Sequence, residues 1–318
     1  MLAFLFPGQG SQEVGMGRGV FEASEAARAV FRAADGVLDF SLSKLCFEGP
    51  EDELVRTENQ QPAILTTSIA LLRALEEALK DRTRLSPAFV AGHSLGEYTA
   101  LVAAGALRFQ DAVRTVQARG RFMQEAVPSG QGAMAAIIGC PPEEVEQVCS
   151  AVADETGQVV SPANFNSSVQ TVIAGETSAV RLACERAQEV GAKRVVELPV
   201  SAPFHSALMA PAAEKLAGEL SSLDFAEATP PVISHVEAQP NSDPDRMAAL
   251  LCEQVTAPVR FVEMIQSFSK QGVTRVLEIG PGRVLTGLVR HIDRNLDRAN
   301  LSEPADLAGA VEFVTASV

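Results

Sequence analysis

The sequence predicts an α/β protein built on a mostly parallel sheet, and three observations carry that expectation. Short apolar segments alternate with longer amphipathic ones, the order in which helices wrap over both faces of a parallel sheet. Gly92-His93-Ser94-Leu95-Gly96 fits the Gly-x-Ser-x-Gly pattern of a sharp strand-to-helix turn that exposes its serine. The middle of the chain then follows a different order, which marks an insertion.

Ala3 to Phe6 reads as the first strand, because the apolar run is short and Pro7-Gly8 stops it. The loop Pro7-Gly8-Gln9-Gly10-Ser11-Gln12 follows. A helix is expected over Glu22 to Asp35. A long amphipathic helix is expected over Pro62 to Lys80, with Ile64, Ile69, Leu71, Leu72 and Leu75 among its apolar positions. Pro87 to Ala91 reads as a strand and Leu95 to Ala104 as a helix of good helix formers. Phe109 to Ala126 reads as a further helix and carries Arg119.

The middle reads strand (Met134 to Ile138), helix (Pro142 to Asp154), strand (Val159 to Phe165), strand (Thr171 to Ala174), helix (Ser178 to Val190) and strand (Arg194 to Leu198). That βαββαβ order is ferredoxin-like. Residues 130–199 are therefore expected to form a small domain inserted into a larger one made of 1–129 and 200–318. The chain returns with a strand at Val232 to His235, helices at Asp245 to Val255 and Phe261 to Lys270, and a strand at Val276 to Ile279. Gly280-Pro281-Gly282 after that strand is a turn and not a phosphate cradle, because Leu285 holds the third glycine position.

Composition bounds the class. With 318 residues, 47% hydrophobic and 21% charged, the chain can bury a large core without disulfides. Cys46, Cys140, Cys149, Cys184 and Cys252 are scattered, with no Cys-x-x-Cys pair. Neither a zinc site nor a disulfide framework is expected, and no metal. Met1 to Phe6 lacks the basic start of a signal peptide, and no apolar run is long enough to span a membrane, so a cytoplasmic protein is expected. A net charge of −14 argues against nucleic-acid binding. It leaves room for a local basic surface: Arg283, Arg290, Arg294 and Arg298 meet only Asp293 and Asp297 in their stretch. That stretch reads as a solvated helical face, and the tail beyond Arg298 is expected to fray.

Ser94 as a nucleophile needs a base. Of the four histidines, His205 follows the last strand of the insertion, where sheet proteins collect active-site groups, and is the first candidate. His235, at a strand end, is the second. His93 adjoins the serine but is expected to point to the opposite side, and His291 lies in the basic stretch. The N–H of Leu95 is placed to receive a developing oxyanion. A second N–H must come from another loop at that sheet edge, and Gly8-Gln9-Gly10 allows a close backbone approach. Periodicity alone leaves Arg119 open between a surface charge and a buried one.

The motifs in combination say more. FPGQGSQ (Phe6–Gln12), QQPAILTTSIAL (Gln60–Leu71), GHSLGEYTA (Gly92–Ala100) and RGRFMQEAVPSGQGAMAA (Arg119–Ala136) occur in that order. PANFNS (Pro162–Ser167), LPVSAPFHSALM (Leu198–Met209), QVTAPVRF (Gln254–Phe261) and IGPGRVLTGL (Ile279–Leu288) follow. Over nearly its whole length the chain resembles the malonyl-CoA:acyl carrier protein transacylases, the acyltransferase family of fatty-acid and polyketide synthesis.

The resemblance implies an α/β-hydrolase-like large domain with the ferredoxin-like insertion. It implies Ser94 as the acylated nucleophile, His205 as base and acid, and a backbone carbonyl near Gln254 orienting that histidine in place of an acid. Gln9 and Leu95 would supply oxyanion N–H groups, and Arg119 would grip the malonyl carboxylate. His93, Phe204, Met123 and Asn164 would complete the substrate site. The implied cycle is ping-pong, from malonyl-CoA as substrate to the phosphopantetheine thiol of acyl carrier protein, with no bound cofactor.

Phe204 before the histidine and Leu95 after the serine resemble malonyl-selective polyketide enzymes. Methylmalonyl-selective ones often have serine and glutamine there. Phenylalanine at 204 hints at a discrete enzyme of a polyketide pathway, since stand-alone fatty-acid enzymes often carry serine. The alternative is a carrier-protein acyl hydrolase of the same fold, which has little use for Arg119. A non-catalytic docking protein would not need Ser94 and His205. Because carrier proteins of these pathways are generally acidic, the Arg283–Arg298 stretch is the expected docking surface.

Overall fold

The computed structural model describes residues 1–79, 85–200 and 202–316. The chain opens with β1 (Leu2–Phe6), α1 (Arg18–Ala23), α2 (Glu25–Asp35), α3 (Leu42–Glu48), α4 (Glu51–Leu54) and α5 (Thr57–Leu79). β2 (Phe89–Gly92), α6 (Gly96–Ala103) and α7 (Phe109–Glu125) follow. The middle holds β3 (Gly132–Ile138), α8 (Pro142–Thr156), β4 (Val160–Ser167), β5 (Gln170–Glu176), α9 (Thr177–Glu189) and β6 (Arg194–Glu197). The last part comprises α10 (Ala210–Leu220), β7 (Val232–Ile233), β8 (Pro240–Asn241), α11 (Pro244–Glu253), α12 (Phe261–Lys270), β9 (Arg275–Ile279), α13 (Val284–Ile292), β10 (Asp297–Leu301) and α14 (Leu307–Thr315).

The larger sheet has the order β10-β9-β1-β2-β7-β8. Every pairing in it is parallel except β7 with β8. β1, Leu-Ala-Phe-Leu-Phe, sits at its centre and is buried throughout, as a strand covered on both faces must be. Its side chains alternate between two cores. Leu2, Phe4 and Phe6 pack with residues of α5, α6 and α7, and Ala3 and Leu5 pack with residues of α12 and α13.

The smaller sheet, β4-β5-β3-β6, is antiparallel. Ala133, Ala135 and Ile137 of β3 face α8 and α9. Met134 and Ala136, on its other face, join the core of the larger sheet. Two backbone hydrogen bonds tie the smaller sheet to the segment before α12: Val259 N–H donates to the Ala163 carbonyl at 2.8 Å, and Phe165 N–H donates to the Val259 carbonyl at 2.9 Å.

Four expectations change. The helix expected over Glu22 to Asp35 is two helices, because Ser24 is extended and its hydroxyl caps the Ala27 N–H at 3.1 Å. The strand expected to reach His235 stops at Ile233, where Ser234 turns to pair with Gln239 and Ala238. As far as Ala316 the tail does not fray: β10 pairs with β9, and α14 is anchored by buried Ala310 and by Arg275, which donates to the Phe313 and Ala316 carbonyls. The Arg283–Arg298 stretch is not one helical face either. Its helix ends at Ile292, and Arg298 lies in β10, donating to the Asp293 and Leu296 carbonyls. The last residue of the expected Pro62–Lys80 helix, Lys80, lies outside the described residues. All five cysteines are free thiols. No helix among the described residues is long and apolar enough to cross a membrane.

Candidate active site

The turn from β2 into α6 is flanked by two glycines that leave no space for a side chain. A Cβ on Gly92 would lie 1.9 Å from the Gly96 carbonyl carbon, and one on Gly96 would lie 2.1 Å from the Phe6 oxygen. Ser94 between them has φ of 52°, a left-handed conformation that strains a residue with a side chain. The turn aims its hydroxyl at the carboxyl edge of the sheet, into a cavity of about 1140 Å³.

His205 meets it there. The Ser94 Oγ to His205 Nε2 distance is 2.7 Å. On the far side of the ring, Nδ1 lies 2.9 Å from the Gln254 carbonyl oxygen and 3.1 Å from that of Ala257. Carbonyls only accept, so Nδ1 carries the proton and Nε2 offers its lone pair to the serine O–H. His205 is itself left-handed, with φ of 59°. Burial, then the nearby Arg119 guanidinium, push its pKa down to about 3. The imidazole is therefore neutral at physiological pH and ready to take a proton.

The Arg119 guanidinium is fully buried. Its Nη1 donates to Gln61 Oε1 at 2.8 Å, and its Nη2 donates to Gln254 Oε1 at 2.9 Å and to Ser94 Oγ at 3.1 Å. The Tyr98 ring lies beneath it, 5.6 Å from the guanidinium carbon. Burial lowers its pKa, but a guanidinium stays charged. Since arginine can only donate, the Ser94 hydroxyl proton has His205 as its acceptor.

Behind these groups lies a polar cluster. Gln254 Nε2 donates to Glu97 Oε2 at 2.7 Å and to the Ser94 carbonyl at 3.3 Å. The His235 N–H donates to Glu97 Oε2 at 3.3 Å, and its ring stands edge-on to that of His205 with centroids 5.4 Å apart. Burial raises Glu97 to about 7, opposed by its hydrogen bond from Gln254. Burial also holds His235 well below its usual range.

Most of the residues singled out in the sequence meet here. Ser94, His205, His93, Gln9, Phe204 and Asn164 line the cavity. Gln9 donates from Nε2 to Gln60 Oε1 at 2.6 Å. Neither the Gln9 nor the Leu95 N–H has a hydrogen-bond acceptor among the described residues.

His93 does not point away as expected. The left-handed serine breaks the strand alternation, and His93 Nε2 meets Asn166 Oδ1 of β4 at 2.9 Å. Arg119, Leu95, Gln254 and Met123 are not among the residues lining the cavity, although Arg119 bonds Ser94 and Gln254 holds His205. Met123 lies one turn beyond Arg119 on α7, buried, with Gln61 Nε2 3.9 Å from its sulfur. His235 is behind His205 and not against the serine, and His291 is exposed on α13.

Sequence reasoning missed Gln61, Glu97, Ala257 and Asn166. All four lie inside quoted motifs: QQPAILTTSIAL, GHSLGEYTA, QVTAPVRF and PANFNS. The motifs marked the segments without saying which side chains face inward.

An alcohol paired with a neutral imidazole, at the carboxyl edge of a parallel sheet, is the apparatus of enzymes that move acyl groups through a serine ester. Residues 3–312 match the acyl transferase domain model, and the chain belongs to that family. It is 50% identical over 311 residues to the malonyl CoA-acyl carrier protein transacylase of Bacillus subtilis (strain 168), covering 98% of this chain and 96% of that protein. The Escherichia coli (strain K12) protein of the same name is 46% identical, with 98% and 99% covered.

Among solved structures, an acyl-carrier-protein S-malonyltransferase from Burkholderia pseudomallei superposes with a TM-score of 0.93 at 45% identity, covering 98% of this chain and 99% of that one. A malonyl-transacylase in complex with a type II PKS acyl-carrier protein gives 0.93 at 43% identity, covering 98% and 99%. The family indicated by the sequence motifs is the one these comparisons find.

Proposed function

We propose that this protein transfers a malonyl group from malonyl-CoA to the phosphopantetheine thiol of an acyl carrier protein, through a malonyl ester of Ser94. The observation that carries the reading is a buried guanidinium 3.1 Å from the nucleophile. An acyl group with a carboxylate at its far end can pair with that charge bidentately. An acetyl group leaves it without a partner, which disfavours acetyl far more than a difference in size does.

The geometry supports the following cycle. His205 Nε2 takes the Ser94 proton as Oγ attacks the thioester carbonyl. The N–H groups of Gln9 and Leu95 are the donors for the resulting oxyanion. The carbon–sulfur bond then breaks, and the CoA sulfur leaves with the proton from His205. In the second half the carrier thiol gives its proton to His205 and attacks the serine ester. Ser94 recovers the proton as the new thioester forms. The Gln254 and Ala257 carbonyls hold the imidazolium that exists between proton transfers.

For the acidic carrier protein, Arg290 and Arg294 are the docking residues. Both are exposed and, among the described residues, neither is in an ion pair, whereas Arg283 reaches Asp306 at 3.5 Å. Reversing both charges should weaken transfer to carrier protein and spare acylation by malonyl-CoA. Equal loss in both half-reactions refutes this docking face. The polyketide assignment and a cytoplasmic location complete the reading; the former rests on Phe204 alone, and relative loading of fatty-acid and polyketide carrier proteins decides it.

The test is intact-protein mass after incubation with malonyl-, methylmalonyl- or acetyl-CoA. A malonyl adduct that is absent in Ser94→Ala is the expected result. An acetyl adduct of equal yield overturns the role of Arg119. Release of free malonate without transfer to carrier protein makes the enzyme a hydrolase.

A further inference from the structure

The cation at the heart of the site has no direct counter-ion. Among the described residues no carboxylate lies within salt-bridge distance of Arg119, and the three oxygens that accept from it are those of two amides and a hydroxyl. A buried cation compensated only by neutral dipoles is costly.

One carboxylate lies a single side chain away. The Gln254 amide accepts from Arg119 with its oxygen and donates to Glu97 with its nitrogen, at 2.9 and 2.7 Å. The guanidinium accepts nothing and the carboxylate donates nothing, so this amide has one possible orientation. Its dipole lies along the line from carboxylate to guanidinium and strengthens both bonds. Glu97 is buried, and the Gln254 side chain stands between it and Arg119.

We propose that Glu97 is the counter-charge of Arg119, coupled to it through the Gln254 side chain, and that it limits how tightly the guanidinium holds an acyl carboxylate. This rests on the reading of Arg119 as the malonyl clamp. With Glu97 ionised the resting cluster is neutral. An arriving malonyl carboxylate is a second anion competing for the same cation. Glu97 therefore weakens the ground-state grip on malonyl and eases departure of the malonyl group to the carrier thiol. Tighter ground-state binding without it lowers KM and does not raise kcat. Glu97 is a positioning residue, since it acts through Gln254 and Arg119.

Glu97→Gln keeps the shape and an acceptor oxygen but removes the charge, at a place where burial already favours the neutral form. At pH 8, where Glu97 is charged, the variant should show a KM for malonyl-CoA lowered roughly five- to tenfold and a transfer step to carrier protein slowed by a similar factor. Acetyl-CoA parameters should stay within about twofold. Glu97→Asp, which keeps the charge, should resemble the parent.

The unaltered enzyme supplies a second readout. Between pH 8 and 6 Glu97 takes up a proton, so KM for malonyl-CoA should fall while that for acetyl-CoA holds. The other titratable groups around it are His235 at 3.5 Å, Arg119 beyond Gln254, and Tyr98, and none of them changes charge in that range.

Malonyl and acetyl parameters shifting together, a malonyl KM that stays flat or rises, or an Asp variant equal to the Gln variant each overturn the proposal. A parent enzyme without preference for malonyl over acetyl instead overturns the proposed function.

Discussion

The cavity has two unlike walls. The wall at the end of the parallel sheet carries Ser94 and Gln9, with Leu95, Arg119, His205, Gln254 and Glu97 packed around and behind them. The opposite wall, from the small sheet and the segment leaving it, carries Met134, Asn164, Leu198, Val200 and Phe204. The first wall is fixed by backbone: two glycines without space for a methyl group and two residues with left-handed φ. The second is fixed by side-chain packing. Titratable groups crowd the first wall, and none of the five named on the second ionises. On the proposed function, the first wall sets the reaction geometry and the demand for an acyl carboxylate, and the second sets the room for a substituent beside it.

If that division holds, a methyl group at either elbow glycine should have the largest effect, as in Gly96→Ala. Its Cβ would meet the Phe6 carbonyl at 2.1 Å, between two central strands. A loss of about 4 kcal/mol or more of stability is expected, read as the shift in urea unfolding. A stable, active Gly96→Ala enzyme would break the comparison at its strongest point.

Arg119→Met comes next. It removes the clamp and keeps the volume, so kcat/KM for malonyl-CoA should fall about 10²- to 10³-fold, with acetyl-CoA unchanged or improved. Parallel loss for both substrates would make Arg119 a structural cation.

The pH dependence of stability sharpens the contrast by sign. The native pKa of His205 lies below its unfolded value of 6.5, so its contribution is present above pH 6.5 and lost as pH falls toward about 3. Glu97 runs the other way. Its native pKa lies above its unfolded value of 4.5, so its contribution is full below pH 4.5 and lost as pH rises through about 7. The stability difference between parent and Glu97→Gln should therefore decline by up to ~3 kcal/mol from pH 4.5 to 8, followed by denaturant titration. A pH-independent difference contradicts a carboxylate that titrates in the native state.

Phe204→Ser tests the other wall and should have the mildest effect on acyl transfer. It opens space beside the acyl group, so methylmalonyl loading relative to malonyl should rise about tenfold, within the ~1–3 kcal/mol that a methyl group commands. Because Phe204 is buried in the main core, the unfolding midpoint should fall as well. An unchanged ratio would remove Phe204 from substrate choice.

The sequence and the structure part company at particular residues. The elbow was legible because its glycines and serine obey a local backbone rule. The βαββαβ order of the insertion was legible because amphipathic periods are local too. Ser24 breaks a helix that hydrophobic spacing had joined, because its hydroxyl offers the backbone a cap. His93 was expected to face away because strand alternation was carried through a residue whose φ is positive. Met123 was placed at the substrate by resemblance; it lies buried one turn beyond Arg119, beside the Gln61 side chain that accepts from that arginine. Glu97 and Gln61 passed unnoticed, because an ionised or amide side chain on a helix looks the same in sequence whether it is buried or wet.

The sequence by itself determined the class of fold, the strained turn that presents Ser94, and the family. These depend on residues near one another in the chain, or on motifs recognisable as wholes. Only the tertiary structure decided that His205 and not His235 meets the serine, that Arg119 is buried beside it, and that Gln254 links guanidinium, imidazole and Glu97. Those contacts join residues 25 to 157 positions apart. Their strength comes from the exclusion of water, which no single segment of the chain can provide.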